Sequence, residues 1–199
     1  MQKARLEAFS DGVLAIIITI MVLELHIPRG GDFAALQPLA PLFLCYVLSF
    51  VYVGIYWNNH HHMLHAVRRI SGGALWANLH LLFWLSLLPV VTGWMGTNDF
   101  SALPTALYGV VLLMSGAAYL ILSRVLIAAE GDESLLAKAI GSDSKGKLSL
   151  LVYTLAIPIA FWNRWVSQGA YVLVALMWLV PDRRIERLFT GTPDHGIDG

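Results

Sequence analysis

The residue types that could do chemistry fall in two short runs. Arg5, Glu7, Ser10 and Asp11 precede an apolar segment, and His60, His61, His62 and His65 close another, with Asn78 further along. His61 and His65 are four apart and share one helical face, a spacing that can supply two metal ligands. No cysteine or carboxylate adjoins them to complete a set, and Glu130, Asp132 and Glu133 are remote in sequence. A metal centre is therefore the weaker reading of the cluster, and no metal is expected. Arg5, Ser10 and Asp11 have an ordinary reading as a helix start and as charge flanking a membrane span. The sharper reading is hydrogen bonding between helices, because an ionisable group at a membrane boundary needs a partner. Arg5 and Asp11 do not serve each other, since six positions is roughly 240° around a helix rather than the i, i+4 spacing. No nucleophile, base and orienting group come together, and no G-x-x-x-x-G-K-[ST] run is present. Neither an enzyme nor a cofactor is expected.

The elements that must position these groups are long and apolar. Of 199 residues, 57% are apolar and 13% charged, and the mean hydropathy is +0.66. The charged share is about half that of a soluble domain, so the chain reads as a membrane protein. The expected fold is a single all-α domain, an integral membrane six-transmembrane-helix bundle. Its spans are 8–25, 36–57 with a polar extension to 69, 74–94, 103–129, 148–162 and 166–180. The first is a retained helix rather than a cleaved signal, because Glu7 and Asp11 do not suit a signal and no A-x-A-like site precedes Pro28.

Turn residues separate the spans at His26 to Asp32, at Ser71-Gly72-Gly73 and at Gly96 to Pro104. Glu130 to Lys147 is the longest loop, with a short amphipathic piece at Leu135 to Ile140. Asn163-Arg164-Trp165 joins the last two spans as an antiparallel hairpin. Residues 182–199 form a basic, then Gly-rich tail. Lys3, Arg5, Arg68, Arg69, Arg124, Lys138, Lys145, Lys147, Arg183, Arg184 and Arg187 fall on one side of this topology, against Arg29 and Arg164 on the other. That asymmetry places both termini in the cytoplasm. The formal net charge of zero and the lack of a basic run interleaved with aromatics give no reason for a nucleic-acid partner. Cys45 is the single cysteine, so no intramolecular disulfide forms.

Within the first span, Ile16, Thr19, Ile20 and Leu23 share one stripe at about 100° per residue, and Asp11 lies roughly 140° from Ile16. By spacing alone such a stripe is a packing face. Its functional reading is a ring of apolar side chains from several copies of the helix, which can constrict or dewet a pore.

Arg5, Phe9, Ser10 and Asp11, spaced R-x-x-x-F-S-D at the start of the first span, resemble the signature of the endo-lysosomal transmembrane potassium channel family and its prokaryotic homologues. Tyr56-Trp57-Asn58-Asn59-His60-His61, Leu75-Trp76-Ala77-Asn78 and Phe83-Trp84-Leu85-Ser86-Leu87-Leu88-Pro89 resemble that family's second and third helices. The resemblance covers the first half of the chain; over the second half it rests on helix count. It implies a single-repeat, potassium-permeable cation channel, a homotetramer with the first helix lining a central pore, in the plasma membrane. It further implies Ile16 at the bottleneck, Thr19 and Leu23 at later pore-facing positions, and a structural polar network of Arg5, Phe9, Ser10, Asp11, His60, His61 and Asn78. Potassium ions, membrane lipid and further copies of the chain are the expected partners. Tyr108-Gly109 does not approach a T-V-G-Y-G filter, so selectivity is expected to be modest and to arise at the apolar ring. Two readings outside the family stay open: a membrane metal-binding enzyme or carrier using His60 to His65, and a non-conducting accessory membrane subunit.

Overall fold

The computed structural model describes residues 3–68, 70–131, 134–141 and 143–179. Every regular element among them is helical. In order they are α1 (Lys3–Leu23), a 3-10 segment (Phe33–Leu39), α2 (Ala40–His65), α3 (Gly72–Ser86), α4 (Leu88–Thr97), α5 (Ala102–Glu130), α6 (Leu135–Ile140), α7 (Ser144–Ile159) and α8 (Arg164–Leu179). Several of their starts follow from side-chain caps. Asp32, Ser71, Ser134 and Asp143 each accept a backbone N–H three residues on, satisfying one of the donors that a helix start leaves open.

Four segments are long and apolar enough to cross a membrane: Lys3–Leu23, Phe33–His65, Gly72–Thr97 and Ala102–Glu130. The chain is therefore a multi-pass membrane protein. The sequence predicts six spans, and the difference lies at the end of the chain. Helices α7 and α8 have 16 residues each, about 24 Å at 1.5 Å per residue, against a hydrocarbon layer of roughly 30 Å. The third span, expected as one helix over 74–94, is built from α3 and α4, with a break at Leu87. Pro89 is the cause, because it supplies no N–H to the ladder and fits only in the first turn of a new helix. Helix α2 ends at His65 rather than continuing to 69. The tail expected over 182–199 lies outside the described residues.

Helix α5 packs along both α3 and α7, α2 packs on α4, and α7 on α8. Helix α1 rests on α2, α3 and α4. It buries Leu6, Ser10, Leu14, Ile17 and Met21, a recurrence of three to four residues that marks a single face. The other side of α1 is uncovered within the subunit, with Ile16 60% and Leu23 76% exposed.

Two glycines permit close approaches that any side chain would block. A Cβ at Gly96 would lie 2.6 Å from the Leu42 Cα, so the backbones of α4 and α2 meet there, and one at Gly109 would collide with the Tyr171 hydroxyl. Helices in lipid gain association from such van der Waals contact, since lipid tails are as apolar as the side chains. Gly96→Ala is expected to lower stability by about 1–3 kcal/mol, read as an earlier thermal unfolding midpoint of the purified protein. Gly169→Ala on α8, whose Cβ would meet nothing within 4 Å, should leave that midpoint unchanged or slightly raised.

Candidate functional site

Ser10 of α1, Asn78 of α3 and His60 of α2 meet inside the subunit, each no more than 3% exposed. The His60 Nε2 lies 2.7 Å from the Asn78 Oδ1. Asn78 Nδ2 donates to Ser10 Oγ at 3.0 Å, and Ser10 Oγ donates to the Leu6 carbonyl at 2.9 Å. An amide oxygen only accepts, so this network assigns the imidazole proton to Nε2. The donors then run in one direction, from His60 through Asn78 and Ser10 to the backbone of α1. Buried this deeply, each of these groups would cost free energy if left unpaired.

Asp11 follows Ser10 by one residue, about 100° around the helix, and emerges on the exposed side of α1. There its Oδ1 accepts from the Trp57 indole Nε1 at 3.0 Å. Trp57 is a partner that spacing within the sequence does not reveal. It stacks on His61 at 6.1 Å, and His61 stacks on His65 at 6.0 Å, a column on one face of α2 at i, i+4 spacing. His61 consequently stands outside the Ser10–Asn78–His60 chain. Arg5 and Phe9 are exposed, and Arg5 has no ion pair or hydrogen bond among the described residues. No group of three or more His, Cys, Asp and Glu that could hold a metal occurs among the described residues.

Ile16, Thr19 and Leu23 lie together on the uncovered stripe of α1. Thr19 Oγ1 donates to the Ala15 carbonyl at 2.9 Å, so its hydroxyl is satisfied within the helix and presents mainly its methyl group outward. Glu24 is exposed just beyond Leu23, with its carboxylate beside Gly93.

A second set of buried hydrogen bonds, absent from the sequence-based expectations, fastens the rest of the bundle. Ser49 Oγ lies 2.7 Å from Thr92 Oγ1 and 3.0 Å from the Tyr108 hydroxyl, joining α2, α4 and α5. The Tyr153 hydroxyl donates to that of Tyr52 at 3.1 Å, and Tyr52 donates to the Tyr171 carbonyl at 2.6 Å. The Tyr171 hydroxyl donates to the Thr105 carbonyl at 3.2 Å. The available signal was the occurrence of tyrosines and hydroxyl residues inside apolar helices, where each buried O–H must find a partner.

These features define a class: a multi-pass helical membrane bundle whose first helix is held by buried hydrogen bonds on one face and carries an apolar stripe on the other. A family profile described as Endosomal/lysosomal potassium channel TMEM175 matches residues 5–89, the stretch that contains Ser10, His60 and Asn78. A potassium channel of Chryseobacterium sp. (strain P1-3) is 57% identical over 187 residues, 94% of this chain and 97% of that one. The human endosomal/lysosomal proton channel TMEM175 is 33% identical over 116 residues, which cover 52% of this chain and 23% of the human protein. The crystal structure of a lysosomal potassium-selective channel TMEM175 homolog from Chamaesiphon minutus matches with a TM-score of 0.76 at 26% identity, over 92% of this chain and 97% of that one. The chain belongs to the TMEM175 channel family.

Asn78→Ala strands the His60 N–H and is expected to cost about 1–3 kcal/mol, measured by thermal or denaturant unfolding in detergent. Ser10→Ala and Asn78→Ala should be non-additive, with a coupling of at least about 0.5 kcal/mol in a double-mutant cycle.

Proposed function

We propose that the chain is one subunit of a potassium-permeable cation channel, a homotetramer in which four copies of α1 surround the pore. The observation that carries this reading is the uncovered apolar stripe of α1, on a helix whose opposite face is packed against α2, α3 and α4. Family membership favours other copies of α1, rather than lipid, as the surface that covers the stripe. The relatives are channels rather than enzymes, and the work done is ion dehydration and passage rather than catalysis.

In this arrangement Ile16 forms the narrowest ring, and Thr19 and Leu23 continue the lining over about 10 Å. Apolar rings act by constriction and dewetting; without carbonyl ligands to replace the hydration shell, they discriminate between potassium and sodium only modestly. The Ser10–Asn78–His60 chain holds the back of α1, so it sets the position of the ring without touching the ion. Asp11 and Trp57 brace the flank. Arg5 and Phe9, exposed on the subunit, are available to a neighbouring copy. Helices α7 and α8 supply the last two spans of a six-span topology, in the plasma membrane with both termini cytoplasmic.

The test is ion flux into liposomes containing the purified protein, with sodium and protons as comparison ions. Potassium flux should exceed sodium flux, and Ile16→Asn should raise total flux severalfold while weakening that preference. Unchanged flux and preference in Ile16→Asn would remove Ile16 from the constriction. Asp11→Ala, which strands the Trp57 indole, should reduce the yield of assembled tetramer on size-exclusion chromatography and leave ion preference in the surviving tetramers unchanged.

A further inference from the structure

Away from the outer stripe of α1, the helices α2, α5, α7 and α8 bound a partly open cavity of about 40 Å³, room for roughly three water-sized groups. Its walls are mainly aromatic and aliphatic, and include Tyr56, Tyr119, Tyr153 and Trp178, with the carboxylate of Asp143 among them. None of these residues belongs to the interactions that hold α1.

Two polar groups in the wall have unused capacity. The Tyr56 hydroxyl, on the side facing Gly116, has no hydrogen-bond partner among the described residues. Asp143 accepts from the Gly146 N–H through Oδ1 at 3.2 Å and makes no ion pair at contact distance among the described residues. Burial pushes its carboxyl above the usual carboxylate range, against a weaker opposing pull from the Gly146 N–H, Lys147 and Arg124.

The ring faces of tyrosine and tryptophan attract cations, and Tyr56 and Tyr119 meet edge to face 6.2 Å apart at this wall. A carboxylate beside such rings suits an ammonium group. The wall is mostly apolar, a poor substitute for the hydration shell of potassium. An alkylammonium can instead place its carbons against the apolar surface. A primary ammonium with a two-carbon stem has N–H groups to donate to the Tyr56 hydroxyl, whereas a fully methylated nitrogen has none.

We propose that this cavity binds the primary ammonium of a small alkylamine or of an amine-bearing lipid headgroup, with Asp143 as counter-charge and the Tyr56 hydroxyl as hydrogen-bond acceptor. Asp143→Asn isolates the charge. Asparagine caps a helix as well as aspartate and tolerates the left-handed backbone found here, φ 45°.

The experiment is saturation-transfer NMR with ethylammonium and tetramethylammonium on the full chain in phosphatidylglycerol nanodiscs. Ethylammonium should bind more tightly than tetramethylammonium, and Asp143→Asn should weaken ethylammonium binding by roughly tenfold or more, with a smaller loss in Tyr56→Phe. Should Asp143→Asn also lower the melting temperature, Tyr56→Phe becomes the deciding variant: weaker ethylammonium binding supports the site, and unchanged binding overturns it. Repeating the measurement with phosphatidylethanolamine in the nanodisc separates the two sources. Disappearance of the ethylammonium signal there assigns the site to a lipid headgroup, and its persistence assigns it to a free amine. Equal ethylammonium affinity with and without the Asp143 charge, equal binding of tetramethylammonium, or no ethylammonium signal in phosphatidylglycerol overturns the proposal.

Discussion

Asn78 is fully buried and uses both ends of its amide at once, accepting from His60 of α2 and donating to Ser10 of α1. Helices in a bilayer gain little from hydrophobic burial against one another, so close packing and polar contacts must set their rotation and register. A single amide with partners on two other helices does this for three helices together. The orientation of α1 follows from it. Ile16 and Leu23 come six and thirteen residues after Ser10, roughly 240° and 220° around the helix, so drawing Ser10 inward turns the apolar stripe outward. In the proposed channel, the group that fixes the pore lining lies on the far side of the helix from the ion.

The remainder of the bundle repeats the same solution with hydroxyl groups. Ser49, Thr92 and Tyr108 tie α4 and α5 to α2, and Tyr153, Tyr52 and Tyr171 tie α7 and α8 to it. Helix α2 takes part in each of these sets; its Trp57 also bonds α1 directly, and its His60 reaches α1 through Asn78 of α3. Glycine complements the hydrogen bonds where backbones come closest. Gly96 admits Leu42, and Gly109 leaves space for the same Tyr171 hydroxyl that reaches the Thr105 carbonyl. Positions α1 touches are thus supported by a frame that extends through the second half of the chain, although that half carries no sequence motif of its own.

The membrane character of the chain and the segregation of α1 into two faces were legible in the sequence. Each is a local property, set by apolar run length and the helical repeat of about 3.6 residues. The short amphipathic piece at Leu135–Ile140 was legible for the same reason. The R-x-x-x-F-S-D run pointed to the family because it is contiguous. The break at Leu87 was less so, since Pro89 marks a disturbance but not whether the helix kinks or restarts.

Which polar residues meet could be decided only by the tertiary structure. His60 and His61 differ by one step, about 100° of rotation, and nothing in their own sequence says which one turns toward Asn78. Packing of α2 against α4 and α1 settles it, with His60 inward and His61 outward on Trp57. Asp11 finds an indole 46 residues away in sequence, Arg5 finds no partner among the described residues, and the tyrosines of four separate helices converge on one core. Sequence spacing specifies a residue's direction relative to its own helix. Its direction relative to another helix depends on crossing angle and register, which arise only when all the side chains between the helices are packed together.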